Sequence, residues 1–203
     1  SASPSEAPSA APSRAPTAFT PALDTVDNCV VTVTAADTGP GGYSHVKSVL
    51  WIDSRAKLDA LAASVAGCAA TGGGGGGWRI VGGGLVVYDA DDVYDLEPLK
   101  DLRAIEGKAS YGFSLNIYHN DNLASLAGLR NLGGALPGAM YVYNNGALAS
   151  LSGLEGVTRI EGKDSQNGIS LYIRGNNALC LPAADRARLT SCASSSGCSA
   201  SDC

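Results

Sequence analysis

The sequence predicts a mainly β protein: a right-handed parallel β-solenoid of about four to five coils, with short capping helices, disulfide-capped ends and an extended proline-rich N-terminal tail. Three observations predict this class. A pattern of residues repeats along the middle of the chain, each repeat opens with the alternation of a strand, and the six cysteines lie towards the two ends of the part outside the tail. Each coil of such a fold buries its apolar edge against its neighbours.

The repeat begins at Leu85, Leu115, Met140 and Leu171, at spacings of 30, 25 and 31 residues. Its third and ninth columns are also apolar, and they hold Val87, Ile117, Val142 and Ile173, then Val93, Leu123, Leu148 and Leu179. A degenerate earlier copy has Leu50, Ile52, Leu58 and Leu61 in columns one, three, nine and twelve. Columns one to four alternate in hydropathy, which indicates a strand with one buried face. Stacked coils therefore place these strands side by side and parallel.

The sixth column carries an amide in three copies, at Asn120, Asn145 and Asn176, with Ala90 in the first copy. A buried amide at a corner can donate to and accept from backbone groups of its own and the adjacent coil. We expect these residues to form a structural ladder of asparagines, and ligand binding by these amides is the alternative.

Aromatic side chains occupy columns two and four, which face away from the leucine core. This predicted interface consists of Trp51, Tyr88, Tyr118, Tyr141, Tyr143 and Tyr172. Ordinary packing across neighbouring strands would explain such a row. A contact surface explains it as well, because tyrosine combines large area with a polar tip, and flat rings suit stacking on sugars.

The chain divides into a tail (1–28) and a solenoid domain (29–203), in which 29–70 form an N-terminal cap, 78–181 the repeats and 182–203 a cysteine-rich C-terminal cap. We expect a first strand over 28–35, a covering helix over 54–68 and a short capping helix from Pro182. No C-x-x-C pair is present, so disulfides in an extracellular setting are favoured over metal binding. Cys29 is expected to pair with Cys68, and Cys180, Cys192, Cys198 and Cys203 among themselves.

The tail repeats proline every four residues between serine, alanine and threonine, which predicts extended polyproline II conformation. A disordered linker and an O-glycosylated stalk both fit this composition. The glycosylation candidates are Ser5, Ser9, Ser13, Thr17 and Thr20. Docking of the tail on a neighbouring subunit is a further expectation.

Composition excludes several function classes. Charged residues make up 16% of the chain and the net charge is −5, which argues against nucleic acid as a partner. No apolar run is long enough to span a membrane. No cofactor motif or catalytic constellation is present, so we expect no enzyme activity. A weak Ca²⁺ site at Asp89, Asp91, Asp92 and Asp95 is the alternative to a solvated acidic edge, since Val93 and Tyr94 depart from the EF-hand pattern.

The repeat pattern L-x-I-x-x-N-x-x-L-x-S-L-x-G-L-x-x-L-x-x-I-x-G, over residues 48–181, resembles the receptor L-domain repeat. It is also similar to bacterial and protist leucine-rich repeats. The resemblance implies an extracellular solenoid of the kind found in growth-factor receptors and in fungal and microbial surface and cell-wall proteins. It implies no particular binding residues, because those of the family lie on variable faces.

Two hypotheses about function follow. The first is a non-enzymatic extracellular or cell-surface structural glycoprotein, a subunit of a filament, appendage or wall layer with an O-glycosylated tail. Its partners would be further copies of itself or neighbouring surface proteins. The alternative is a receptor- or adhesin-type binding module that uses the tyrosine-rich face for protein or glycan.

Overall fold

A computed structural model describes residues 26–27, 29–40, 43–68, 76–182, 185, 189 and 201–202. The rest of the predicted tail, with Ser5, Ser9, Ser13, Thr17 and Thr20, lies outside the described residues. So do Cys192, Cys198 and Cys203 and most of the predicted capping helix after Pro182.

The described part is mainly β with few helices. Its strands are β1 Val26–Asp27, β2 Val30–Thr32, β3 Val49–Ile52, β4 Trp78–Val81, β5 Gly84–Tyr88, β6 Leu102–Ile105, β7 Phe113–Tyr118, β8 Gly134–Leu136, β9 Ala139–Tyr143, β10 Val157–Ile160, β11 Leu171–Arg174, β12 Cys180–Leu181 and β13 Ser201–Asp202. The α-helix α1 spans Arg55–Ser64, and short 3₁₀ helices span Ala66–Cys68, Glu97–Leu99 and Ala127–Leu129. None of the helices in these ranges is long and apolar enough to cross a bilayer.

The largest sheet is parallel and has the strand order β11-β9-β7-β5-β3. Leu85 pairs with Leu115, Leu115 with Met140, and Met140 with Leu171, so column one of the repeat lies in one row across the sheet. The earlier copy continues this row, because Leu50 pairs with Leu85. The predicted stacking of the repeats as adjacent parallel strands is therefore confirmed. Handedness and the number of coils stay predictions.

A second sheet, in the order β1-β2-β4-β6, is parallel except for the antiparallel pair of β1 and β2. The strands β8 and β10 form a separate parallel pair. The main apolar core includes Ile80 of this second sheet together with Leu85, Leu115 and Leu126 from the repeats. These four side chains are fully buried, and each contributes about 1.5–3 kcal/mol of stabilisation by burial.

The N-terminal end of the core is closed by α1 and a disulfide. Ser54 caps α1 by accepting from the Lys57 N–H at 3.4 Å, and Leu58 and Leu61 are buried at its helical spacing. Helix and 3₁₀ turn together span most of the predicted 54–68 segment, and β2 forms the centre of the predicted first strand. Cys29 and Cys68 are joined as a disulfide, and Cys180 is also disulfide-bonded.

The 3₁₀ helices of successive repeats approach each other closely at Gly128. A Cβ atom at this glycine would clash with the carbonyl of Leu96 in the preceding repeat. Gly153 has the same relation to Leu126 one repeat later, with a φ of +110°. These positions need glycine because the backbones of neighbouring repeats meet there.

Columns two and four lie on the side of the large sheet away from the main core, and this side is partly covered by other segments of the chain. Trp51 is 3% exposed and Tyr118 is 9% exposed, while Tyr88, Tyr141, Tyr143 and Tyr172 are half-buried. The rings therefore lie on the side of the sheet away from the leucine core, and none of these six side chains is fully exposed to solvent. The physical reason is a second, smaller apolar cluster in which segments outside the repeat pack over this side of the sheet.

Candidate ligand-binding site

The side of the large sheet opposite the main core, which we call the outer face, carries two rows of side chains set by the strand register. Trp51, Val86, Asn116, Tyr141 and Tyr172 align in the first row. The second row holds Tyr88, Tyr118 and Tyr143 in register, followed by Arg174. Because side chains two apart in a strand share a face, both rows lie on the same side of the sheet.

The second row forms a continuous stack of tyrosine rings. The ring centroids of Tyr88 and Tyr118 are 4.4 Å apart, and those of Tyr118 and Tyr143 are 4.9 Å apart with an interplanar angle of 11°. Tyr141 and Tyr172 lie beside this stack with centroids 5.2 Å apart. Contacts at these distances contribute about 0.5–1.5 kcal/mol per pair beyond burial.

Three segments lie over parts of the outer face, and we call them together the cover. The first comprises residues 37–40 and 43–47, the second residues 109–112, and the third residues 164–168. Tyr43 of the first segment packs against Trp51 at 5.2 Å and against Tyr88 at 4.9 Å, and its hydroxyl lies 2.7 Å from that of Tyr88. The first two segments are joined by a reciprocal pair of hydrogen bonds. The Lys47 N–H donates to the Ser110 Oγ at 3.0 Å, and the Ser110 N–H donates to the Lys47 carbonyl at 2.9 Å.

The third segment of the cover is organised by a buried carboxylate. Asp164 accepts from the Tyr141 hydroxyl at 2.6 Å and from the backbone N–H groups of Gln166, Asn167 and Ile169 at 2.6–2.9 Å. Burial alone would raise the pKa of Asp164, but these hydrogen bonds to the charged form prevail and lower it. The carboxylate is thus ionised at neutral pH and its lone pairs are already engaged.

A cavity of about 240 Å³, which we call the aromatic cavity, lies between the outer face and the cover. Its lining residues are Tyr43, His45, Val46, Trp51, Tyr111, Phe113, Asn116, Tyr118, Tyr141, Tyr143, Asp164, Gln166 and Asn167. Three of them, His45, Gln166 and Asn167, are exposed and lie at its rim. The cavity therefore has an aromatic interior and a polar, solvent-facing entrance.

Two buried polar atoms of the lining residues have no hydrogen-bond partner among the residues that the structure describes. They are the Oδ1 of Asn116, a residue 7% exposed, and the indole Nε1 of Trp51. An unpaired buried donor or acceptor costs about 1–3 kcal/mol. Both atoms have almost no accessible surface, so they lie within the wall of the cavity and are not presented to its interior.

Four tyrosines of the outer face, Tyr88, Tyr118, Tyr141 and Tyr143, are neutral phenols at physiological pH. Burial raises the pKa of Tyr118 and of Tyr141, and raises that of Tyr143 to about 12. The hydrogen bond with Tyr43 is the main cause that raises the pKa of Tyr88 to about 12. The rings therefore provide uncharged contact area and hydroxyl groups.

The asparagines of column six do not line this cavity. Each lies two residues after the end of a strand of the large sheet: Asn120 after β7, Asn145 after β9 and Asn176 after β11. Asn120 accepts from the Ala90 N–H at 3.1 Å, Asn145 from the Asn120 N–H at 3.2 Å, and Asn176 from the Asn145 N–H at 3.0 Å. The side-chain amides also bond to each other, at 2.9 Å and 3.0 Å. Each amide thus joins its repeat to the preceding one.

The acidic residues after β5 are engaged locally and do not converge. Asp92 accepts from the Arg55 N–H at 2.8 Å, and Asp95 accepts from the Glu97 N–H at 2.8 Å, while Asp89 and Asp91 are exposed. No group of three or more histidine, cysteine, aspartate or glutamate side chains able to hold a metal occurs in the described part of the chain. The alternative of a Ca²⁺ site at these residues gains no support.

The sequence pattern identifies the aromatic wall on the strands but misses the rest of the cavity. Tyr43 and His45 precede the repeats, and Tyr111 and Asp164 lie between the aligned columns, so the repeat pattern predicts none of them. The sequence pattern does distinguish Asn116, because it is the one amide in a row that otherwise holds Trp51, a valine and two tyrosines.

The family model for the Receptor L domain matches residues 78–155, the segment from β4 through the third repeat. The fold of the repeats is therefore receptor L-domain-like, as the pattern of columns indicated. Comparison with curated proteins and with solved structures finds no match.

Proposed function

We propose that this chain is an extracellular, non-enzymatic binding module of the receptor type, and that the aromatic cavity is its ligand site. The Receptor L domain match over residues 78–155 supports a binding role of this type. The disulfide between Cys29 and Cys68 supports an extracellular setting, where such bonds persist.

The single observation that carries the proposal is the aromatic cavity itself, which has a volume of about 240 Å³, an aromatic interior and a polar rim open to solvent. Concave sites lined mainly by apolar and aromatic side chains, with a few polar groups, are the usual form of ligand-binding sites.

The electrostatics of the cavity support binding over catalysis. Asp164 is the buried carboxylate of the lining, and both of its oxygens already accept hydrogen bonds, so it is poorly placed to take a proton from a substrate. The phenols around it stay protonated at neutral pH. We therefore propose no chemical step at this site.

The filament or wall-layer hypothesis stays a prediction. It would use the tyrosine-rich face for contact between copies, and the cover occupies part of that face at Trp51 and Tyr118. Less ring area is left for a second copy, which favours the binding module.

The proposal is tested by a fragment screen followed through the two indole N–H resonances. Both Trp51 and Trp78 have buried, unpartnered Nε1 atoms, but only Trp51 lines the cavity, because Trp78 belongs to the main core. We would record ¹H–¹⁵N spectra of the full chain with a mixed library of neutral sugars, ammonium compounds, aromatic acids and short peptides.

We expect some members of the library to shift the Trp51 indole resonance and to leave that of Trp78 in place. Asn116→Leu should weaken that binding, whereas Asn122→Ala, which changes an exposed amide away from the cavity, should not. A library that leaves the Trp51 resonance unmoved, or ligands that bind Asn116→Leu as well as the parent chain, would overturn the proposal.

A further inference from the structure

We infer that Asn167, in the third segment of the cover, is a site of spontaneous deamidation, a covalent modification that turns a neutral amide at the cavity rim into a carboxylate. The inference goes beyond the proposed function and does not depend on it, because it concerns a reaction of the chain with water alone. It follows from the residue after Asn167, from the exposure of both residues, and from the contrast with a buried pair of the same sequence.

The chain contains two asparagines that are followed directly by glycine, Asn145 before Gly146 and Asn167 before Gly168. Asparagine is a chemically labile residue, and its deamidation uses the backbone nitrogen of the residue that follows. A glycine at that position has no Cβ to obstruct the approach of this nitrogen. The sequence therefore contains two equivalent candidates, and their surroundings in the fold decide between them.

The reaction needs water but no oxidant, reductant or cofactor. The backbone nitrogen of Gly168 loses its proton and attacks the side-chain Cγ of Asn167, so that a new C–N bond closes a succinimide ring. The C–N bond of the side-chain amide then breaks, and its nitrogen leaves with the released proton as ammonia. Water opens the ring at either carbonyl, which gives aspartate, or isoaspartate where the backbone then runs through the side-chain carbon.

The surroundings of Asn167 permit this attack. Residues 165–168 are exposed, and a Cβ atom on Gly168 would meet nothing. The Asn167 amide donates to the Asp164 Oδ1 at 3.3 Å and also interacts with the Tyr141 hydroxyl. The Gly168 N–H donates to the Asp164 carbonyl at 3.2 Å. Both of these distances lie at or beyond the upper end of the range of about 2.7–3.2 Å, and water can replace such exposed bonds, so local opening frees the two reacting groups.

The surroundings of Asn145 prevent the same attack. Its side chain is fully buried. Its Nδ2 donates to the carbonyls of Ile117 and Tyr143, and its Oδ1 accepts from the backbone and side-chain N–H groups of Asn120. Movement of the side chain towards the Gly146 nitrogen would break these bonds together, between stacked repeats. Asn145 is therefore a control for Asn167 within the same molecule.

The modification changes both charge and backbone at the rim. The new carboxyl group is ionised at neutral pH and lies next to the carboxylate of Asp164, to which the Asn167 amide was a donor. Two like charges at this separation repel each other. Isoaspartate also adds one carbon to the backbone before Gly168. Because ammonia is lost, the step is not reversed, and aged chains carry a looser and more acidic third segment.

The inference is tested by incubating the full chain in mildly alkaline H₂¹⁸O and mapping its peptides by mass spectrometry. Solvent water opens the succinimide, so each asparagine that has reacted contains ¹⁸O. We expect label to appear at Asn167 at least tenfold faster than at Asn145 in the folded chain. In the urea-unfolded chain the two sites should react at similar rates, because only the shared Asn-Gly sequence then matters.

The variant Asn167→Asp, which reproduces one product, tests the effect on the third segment. The Ile169 N–H donates to the Asp164 Oδ2 at 2.7 Å, and repulsion between the two carboxylates should make this amide exchange with deuterium several-fold faster at neutral pH. The amide of Ile173, within β11 of the large sheet, should exchange at the parent rate. Equal exchange at Ile169 in the two chains would show that the modification does not loosen the segment.

Three results would overturn the assignment of the site itself. The first is label entering Asn145 as fast as Asn167 in the folded chain, and the second is label entering another asparagine before Asn167. The third is no label at Asn167 in the folded chain while the unfolded chain reacts at both sites, because the bonds to Asp164 would then protect it. None of these results involves a ligand, so this inference and the proposed function stand or fall separately.

Discussion

The hydrogen bonds of Asn145 make the sharpest prediction about stability. Its side chain is fully buried and takes part in five hydrogen bonds. It accepts from the backbone and side-chain N–H groups of Asn120, and donates to the carbonyls of Ile117 and Tyr143 and to the Oδ1 of Asn176. Asn145→Ala removes all five at once, in the centre of the stacked repeats.

The magnitude follows from which groups lose their partner. Asn145 is the partner of the buried Asn120 N–H, so the variant leaves a buried backbone donor unpaired at a cost of about 1–3 kcal/mol. The other four bonds involve atoms that keep further partners or are carbonyls within strands, and their net loss is about 0.5–1.5 kcal/mol each at most. The three bonds donated by the Asn145 Nδ2 share two hydrogens, and bonds within one network are not additive, so the upper end of this sum is not reached. We expect the free energy of unfolding to fall by about 3–6 kcal/mol.

Asn122→Ala is the matched control. Asn122 is exposed, and its amide also reaches back to the preceding repeat, where it donates to the Asp91 carbonyl at 2.8 Å. Water can replace this bond, so the loss should not exceed about 1 kcal/mol. The two variants differ in burial and in the number of bonds, and the same residue type is changed in both.

The assay is equilibrium unfolding in urea, followed by circular dichroism and by tryptophan fluorescence so that coincident transitions can be verified. If Asn145→Ala loses no more stability than Asn122→Ala, the column of asparagines does not hold the repeats together, and the reasoning from buried amide bonds is refuted.

Three further predictions concern packing, pH and the disulfide. Gly128→Ala should lower the free energy of unfolding, measured in urea, by more than about 2 kcal/mol, because a methyl group there meets the backbone of the preceding repeat. Gly67→Ala is the control and should leave the free energy of unfolding unchanged, because the space around Gly67 is open. Asp164→Asn should cost about 1–2 kcal/mol at pH 7. The pKa of Asp164 is lower in the folded chain than in the unfolded chain, where it is about 4. The stabilisation by the ionised carboxylate is therefore present above pH 4 and is lost as the pH falls through the folded pKa. The difference in free energy of unfolding between the parent chain and Asp164→Asn should accordingly shrink below pH 4. Replacing Cys29 and Cys68 together by serine should cost about 4 kcal/mol, given their separation of 39 residues, measured as a lower urea midpoint.

Each of these has a result that would contradict it. Equal stability of Gly128→Ala and Gly67→Ala would mean that the repeats can separate locally without loss. A stability difference for Asp164→Asn that stays constant down to pH 2 would show that the charge of the carboxylate contributes nothing. If the variant with serine at both Cys29 and Cys68 is as stable as the parent chain under oxidising conditions, the disulfide does not stabilise the N-terminal end.

The register of the large sheet could be predicted from the sequence because one constraint repeats. Leu85, Leu115 and Met140 recur at the first position of each repeat, and a slip of one residue would turn every such side chain out of the core. The same column logic placed Asn120 and Asn145 at equivalent corners. Such positions are determined locally, by period and by hydropathy, before any long-range contact is known.

The cover and the cavity beneath it were decided by the tertiary structure. Tyr43 contacts Tyr88, which is 45 positions away in the sequence, and Ser110 contacts Lys47, which is 63 positions away. Neither contact recurs from one repeat to the next, so the repeat pattern does not predict it. Alternation alone says that Trp51 and Asn116 face away from the leucine core, but it is silent on whether water or protein lies beyond. That depends on where the segments between the aligned columns pack, which is set by contacts between distant parts of the chain. The sequence alone therefore does not show that this row forms one wall of the aromatic cavity.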